Sequence, residues 1–301
     1  MSEYHNPVLL NESLEGLEID PEGTYVDVTF GGGGHSRAML ERLGPGGKLY
    51  AFDQDADAVD NTLDDDRFQL VQANFKHITR FLKFYGVQQV DGVLGDFGVS
   101  SHQFDTAERG FSTRFEGELD MRMDTSQSLS AAAIVNEYSE ERLVGILREY
   151  GELRLAPKLA RLLVQARKQG EISTTLELRE VLEASIPKHK LNKELAQLFQ
   201  ALRIEVNDEV GVLKDFLQQL PPLLKTGGRI SLISYHSLED RLVKRFIRDG
   251  KFEGQAEKDF YGNTLVPFKK VGGLIVPKQD EINQNNRARS AKLRIAERTT
   301  W

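Results

Sequence analysis

The sequence contains no cysteine. Disulfides, a thiol nucleophile and a zinc site built on thiolates are therefore excluded. Six histidines, His5, His35, His77, His102, His189 and His236, are scattered without close ligand spacing, so no metal is expected. No apolar run approaches the roughly 20 residues needed to cross a bilayer. The first residues also lack the basic start and long apolar segment of a leader. A soluble, cytoplasmic protein with no membrane association is expected. Nor is the chain basic overall, with a formal charge of -7. The charge is unevenly spread: residues 241–301 hold 14 Lys or Arg against 7 Asp or Glu, a net +7 that leaves -14 on residues 1–240. That asymmetry allows a local anion-binding face on an acidic protein, although from charge alone an ordinary solvated surface is the better reading.

What is present is organised around Thr24-Tyr-Val-Asp-Val-Thr-Phe-Gly-Gly-Gly-Gly-His35, where an apolar run stops at four glycines. Tyr25, Val26, Val28 and Phe30 suit a buried parallel strand, and Gly31 to Gly34 remove every Cβ that would keep backbone from a ligand. Residues 36–43 read as the following helix. A flexible connection is the alternative for a glycine run alone. A second apolar run, Lys48-Leu-Tyr-Ala-Phe-Asp53, ends in a carboxylate about 20 residues beyond Gly33, where Rossmann-like folds place the acid that grips ribose hydroxyls. A carboxylate there accepts two hydrogen bonds from a vicinal diol, so the ligand should carry a ribose.

Residues 68–75 read as a third strand whose last aromatic, Phe75, faces either an adenine or the core. Residues 90–101 give a fourth strand and its exit loop, with Asp96 at the carboxyl end, beside the point where open α/β sheets bind ligands; a turn or helix-capping aspartate is the other reading. Residues 105–209 change character to helices with charged outer faces and read as a helical domain inserted into a sheet domain of residues 1–104 and 210–301. Its first stretch interleaves Arg109 with Phe111, a pairing that can hold a phosphate and a base or serve as a solvated hinge. A helix ended by Pro221 and Pro222, a glycine turn and a fifth strand restore the sheet. That strand places His236 and Ser237 on the same edge as Gly33, Asp53 and Asp96. Residues 250–285 read as irregular and mobile. Residues 293–296 read as a last edge strand, with Arg287, Arg289 and Lys292 beside it for phosphates.

Taken together the motifs resemble one family, the RsmH (MraW) small-subunit ribosomal RNA cytosine-N4 methyltransferases. The resemblance runs nearly end to end. It is carried by His5-Asn-Pro-Val-Leu-Leu, Thr29-Phe-Gly-Gly-Gly-Gly-His-Ser36, Asp96-Phe-Gly-Val-Ser-Ser-His-Gln103, Ala107-Glu-Arg-Gly-Phe-Ser112, Leu119-Asp-Met-Arg-Met-Asp124, Phe199-Gln-Ala-Leu-Arg-Ile-Glu-Val-Asn207, Ser234-Tyr-His-Ser-Leu-Glu-Asp-Arg-Leu-Val-Lys-Arg-Phe246 and Asn286-Arg-Ala-Arg-Ser290. It implies a class I (Rossmann-like) methyltransferase sheet domain with an inserted all-helical domain for substrate recognition. The implied reaction transfers a methyl group from S-adenosyl-L-methionine, leaving S-adenosyl-L-homocysteine, to N4 of a cytidine in the decoding region of 16S rRNA within the small ribosomal subunit. The family's cofactor positions fall on Gly33, Gly34, His35, Asp53, Phe75, Asp96 and Gln103. Asp96 is the first candidate proton acceptor and His236 the second, with Arg109, Phe111, Ser237, Arg287 and Arg289 toward the RNA. Gly95 and Phe97 stand where the family usually has leucine, which bears on local packing. A homodimer is left open. The competing readings are a non-catalytic RNA-binding assembly factor and a nicotinamide-dependent oxidoreductase, the latter disfavoured because the first turn lacks the spaced three-glycine fingerprint.

Overall fold

The computed structural model describes residues 7–183 and 185–300, so His5 and Asn6 of the first motif lie outside the described residues. The chain divides into two compact units, one of residues 1–98 with 210–301 and one of residues 99–209.

The first unit holds a seven-stranded sheet. In chain order its strands are β1 (Thr24–Asp27), β2 (Lys48–Asp53), β3 (Phe68–Gln72), β4 (Val90–Asp96), β5 (Leu224–Ser234), then, after the short hairpin strands β6 (Glu257–Lys258) and β7 (Thr264–Leu265), β8 (Phe268–Ile275) and β9 (Lys292–Arg298). The spatial order is β3-β2-β1-β4-β5-β9-β8. The first five run parallel, while β9 is antiparallel to both β5 and β8. Because parallel strands are covered on both faces, their residues are apolar almost without alternation. Val26, Phe52, Val93 and Ile230 pack with Ile78, Leu82, Phe216 and Val243 on one face. Tyr25, Leu49 and Leu94 pack with Leu14, Leu17 and Met39 on the other. The helices responsible are α1 (Leu10–Leu17), α2 (Gly34–Leu40) and α3 (Ile78–Phe84), with Phe216 and Val243 supplied by two later helices. The strand order reverses between β1 and β4, which opens a crevice at their carboxyl ends.

The second unit contains α4 (Ser101–Asp105), α5 (Ala131–Glu137), α6 (Glu140–Glu149), α7 (Ala156–Ala166), α8 (Thr175–Glu183) and α9 (Lys188–Asn207). Apolar residues at three- and four-residue spacing, such as Leu191, Leu195, Leu198 and Leu202, form its own core. The chain then passes through α10 (Glu209–Leu223) into β5, and α11 (Ser237–Asp249) and α12 (Gln279–Gln284) complete the fold.

The proline-ended helix is as expected, and three other expectations are corrected. Pro221 and Pro222 lie in the last turn of α10 and end it. Neither has an N–H to give to the preceding turn, so the helix stops one residue later. Residues 293–296 belong to an interior strand, since β8 pairs outside β9 and takes the edge. Residues 250–285 are accordingly not irregular throughout: they supply β8, the β6–β7 hairpin and α12. The glycine turn before the fifth strand is a bulge within β5, where partner residues jump from Leu224 to Arg229 opposite Val90 and Gly92, and Gly227 takes φ 82°. Among the described residues no helix is long and apolar enough to cross a membrane.

Candidate functional site

The loop after β1 is fixed from beneath by a carboxylate. Asp27 is fully buried and accepts hydrogen bonds from the Ser36 hydroxyl at 2.7 Å and the Thr29 N–H at 3.0 Å, tying the end of the strand to the start of α2. Burial raises its carboxyl above the ordinary value. Above it, the Gly31 N–H donates to Asp53 Oδ2 at 2.8 Å and the Asp55 N–H to Oδ1 at 2.9 Å. Each oxygen of Asp53 thus has one backbone donor and lone-pair capacity left over. Burial pushes this carboxyl up to about 6 against those two bonds. The glycines serve the protein's own packing as well as any ligand. Gly33 has φ 74°, and a Cβ there would lie 3.0 Å from the Phe30 ring; at Gly34 it would collide with the Pro7 ring. At Gly32 an added Cβ meets nothing within 4 Å.

Asp96, at the carboxyl end of β4, is held by three neighbours. Its backbone N–H donates to Thr29 Oγ1 at 2.6 Å, and its Oδ1 accepts the Tyr235 hydroxyl at 2.7 Å. Its Oδ2 lies 4.0 Å from His35 Nδ1. His35 Nε2 is 3.1 Å from the Val8 carbonyl, which can only accept, so that nitrogen carries the proton. Burial lowers the pKa of His35 and keeps it neutral, leaving Nδ1 with a bare lone pair facing Asp96. Burial likewise raises Asp96 to about 6, against the bond from Tyr235. The Asp96 side chain nevertheless keeps 22% of its surface open, so a ligand can reach it. Tyr235 itself is pushed well above its usual range by burial and the adjoining carboxylate, and it stays a donor.

Phe75 is half-buried, 5.9 Å from the Phe97 ring and 5.2 Å from that of Phe216, so it rims the sheet core. Phe97 fills this aromatic cluster. His236 is the N-cap of α11. Its Nε2 lies 3.0 Å from Glu239, whose carboxylate also accepts the Tyr235 N–H at 2.9 Å. His236 is thus engaged in a cap, with Ser237 the first residue of the helix behind it. Arg287 and Arg289 are exposed on a short turn, Asn286–Ser290, either side of buried Ala288.

The remaining candidates lie in the helical unit. Gln103 is buried and forms a capping box with Ser100 at the start of α4, each side chain bonded to the other's backbone N–H at 3.1 Å. Arg109 and Phe111 require correction. Arg109 is only 9% exposed and donates to the carbonyls of Arg122 and Met123, while Phe111 lies in the unit's hydrophobic core. Interior anchors of this kind cannot stack on or neutralise an RNA, and the alternation of Arg with Phe reflects a buried guanidinium that donates to carbonyls. Tyr235 was not among the sequence candidates. Its position between the fifth strand and the capping His236 was its only signal.

A parallel sheet with this order and its two added antiparallel strands, a glycine loop after β1, a diol-type acid ending β2 and a buried acid ending β4 define a Rossmann-like protein of the class I methyltransferase type. The chain matches the MraW methylase family over residues 2–299 and belongs to that family. It is 62% identical over 98% of both chains to a protein of Christiangramia forsetii called ribosomal RNA small subunit methyltransferase H. Proteins of the same description from Flavobacterium johnsoniae, 62% identical over 98% of both chains, and Cytophaga hutchinsonii, 61% identical over 98% of this chain and 99% of the other, are similarly related.

Proposed function

We propose that the protein methylates N4 of a cytidine in the decoding region of 16S rRNA in the small ribosomal subunit, in the cytoplasm, using S-adenosyl-L-methionine. In this reading residues 1–104 with 210–301 carry the chemistry and residues 105–209 recognise substrate. The observation that carries it is the Asp96 centre: a partly open carboxylate at the switch-point crevice, fixed by Tyr235 and Thr29 and facing the bare nitrogen of His35.

The residues fit the cofactor. Asp53 has lone pairs left for a ribose diol once Gly31 and Asp55 are served, and the backbone at Gly32 has open space above it. Gly33, Gly34 and His35 would line the same loop and Phe75 the base side. When bound, S-adenosyl-L-methionine supplies an electrophilic methyl group. The cytosine N4 lone pair is delocalised into the ring and must be localised for attack. Asp96, ionised above about pH 6, accepts a hydrogen bond from an amine N–H and takes up that proton as the nitrogen's lone pair is spent. Tyr235 occupies Oδ1 and so directs the amine to Oδ2. The base must leave its stack to reach this depth, at a cost of a few kcal/mol. Exposed Arg287 and Arg289 can recover part of that cost at the phosphates, with Ser237 near the crevice edge.

The test is transfer of labelled methyl to small subunits and to naked rRNA from cells lacking the mark, with the product nucleoside identified by mass. N4-methylated cytidine supports the reading. Label on another nucleoside, or no transfer with cofactor bound, overturns it.

A further inference from the structure

Among the described residues the two most exposed large apolar side chains are adjacent, Phe260 at 97% and Tyr261 at 86% exposure. They sit at the tip of the β6–β7 hairpin, and the tip is built, not slack. The Asp259 carboxylate accepts the N–H groups of Tyr261 at 2.9 Å and Asn263 at 2.8 Å and the Asn263 side-chain amide at 2.8 Å. Gly262 closes the turn at φ 86°. The two rings meet edge to face at 5.6 Å, so each presents a ring face to solvent. A preformed turn that holds two rings in water invites a ligand with flat faces.

The surroundings select which. Residues 241–270 carry eight Lys or Arg against four Asp or Glu, in a protein that is acidic elsewhere. Lys258 in β6 and Lys269 and Lys270 at the start of β8 are exposed, whereas Arg248 and Lys251 at the end of α11 are paired with Asp249 and Glu257. Aromatic faces interleaved with cations are the chemistry of single-stranded nucleic acid, whose bases stack while its phosphates pair. We propose that Phe260 and Tyr261 form an RNA-docking element that stacks on unpaired bases of the substrate particle at a point remote from the reacting base. This rests on the rRNA substrate proposed above.

Remoteness follows from the fold. Helix α11 begins at the crevice edge and has 13 residues, about 20 Å of rise. The hairpin is tied to its far end, through Lys251 to Glu257 and Arg245 to the Gly254 carbonyl. The sheet agrees: Phe268, just after the hairpin, pairs with Arg298 at the edge opposite the crevice, while Ile275 pairs with Leu293 near it. A contact that far away contributes equally before and during chemistry, so it acts on KM and not on kcat. It also cannot reach a short oligonucleotide centred on the target base.

The experiment compares wild type with the double variant Phe260→Ala, Tyr261→Ala, whose exposed positions leave the core intact. Binding and methylation are measured on small subunits and on a short single-stranded oligonucleotide carrying the target. Ultraviolet crosslinking of wild type to subunits is then read by mass spectrometry of the peptide holding both rings. Expected are a rise in subunit Kd and KM of about tenfold or more with kcat unchanged, no change on the oligonucleotide, and a nucleotide adduct on that peptide. Replacing both rings by tryptophan should restore affinity. Unchanged subunit affinity, or an adduct to a ribosomal protein, overturns the proposal. Failure of wild type to methylate anything would overturn the functional reading instead, while binding and crosslinking still decide the docking.

Discussion

A carboxylate between a tyrosine hydroxyl and a bare imidazole nitrogen has a mismatch that one atom would cure. Replacing Asp96 by Asn leaves an amide oxygen for the Tyr235 hydroxyl and puts an amide N–H₂ opposite His35 Nδ1, where a donor is wanted. Because burial raises the folded Asp96 to about 6 from an ordinary 3.8, its charge works against the free protein. Its contribution to stability is fully present below pH 4 and lost as pH rises through 6. Asp96→Asn should therefore raise Tm by a few degrees at pH 8, on the order of 2 kcal/mol, while abolishing methyl transfer; thermal melting and the transfer assay check both halves. Tyr235→Phe works in the other direction. It removes a bond that favours the carboxylate, so the acid limb of kcat, expected near pH 6 in wild type, should move to higher pH, with cofactor affinity little changed. A limb that stays in place would exclude Asp96 as the acceptor that Tyr235 tunes.

At the scale of the element, the strand-to-helix turn is over-determined. Asp27 pins it from below, Asp53 from the side, and Gly33 fits only without a Cβ. Gly33→Ala should cost about 1–2 kcal/mol from its left-handed backbone alone, with further loss of cofactor affinity as the loop shifts from Phe30; calorimetry with and without cofactor separates the two. This element was legible because its signals are local: an apolar run, glycines, and an acid at a fixed distance. Two others were not. Strand β8, Phe-Lys-Lys-Val-Gly-Gly-Leu-Ile, is an edge strand exposed along most of its length, so nothing forced an apolar alternation onto it. Arg109 and Phe111 look in sequence like a surface pair, and only the carbonyls of Arg122 and Met123, brought together by the fold, make the guanidinium an interior residue. Tyr235 belongs with these, since its partner Asp96 is 139 residues away.

Over the whole molecule, charge is the feature that composition revealed and the fold refined. The net +7 of residues 241–301 falls on α11, β8, the turn bearing Arg287 and Arg289, and β9, all in the sheet unit, while the hairpin itself carries Lys258 against Glu257 and Asp259. Arg287→Ala with Arg289→Ala should weaken RNA binding uniformly across sequences and make its salt dependence shallower, by about one in slope for each phosphate left without its arginine; filter binding across a salt series measures both. The interrupted sheet has a further consequence, for the growing chain. Strand β4 is made long before its partner β5, with the whole helical unit translated between them. Domains form in order of synthesis, and closing so long a loop is slow. Until β5 arrives, the open edge of β4 offers Val93 and Leu94 to any passing strand, and the carboxylate of Asp96 waits for its tyrosine. The helical unit can fold in that interval on its own core, so what the nascent protein must be guarded against on the ribosome is an unfinished sheet.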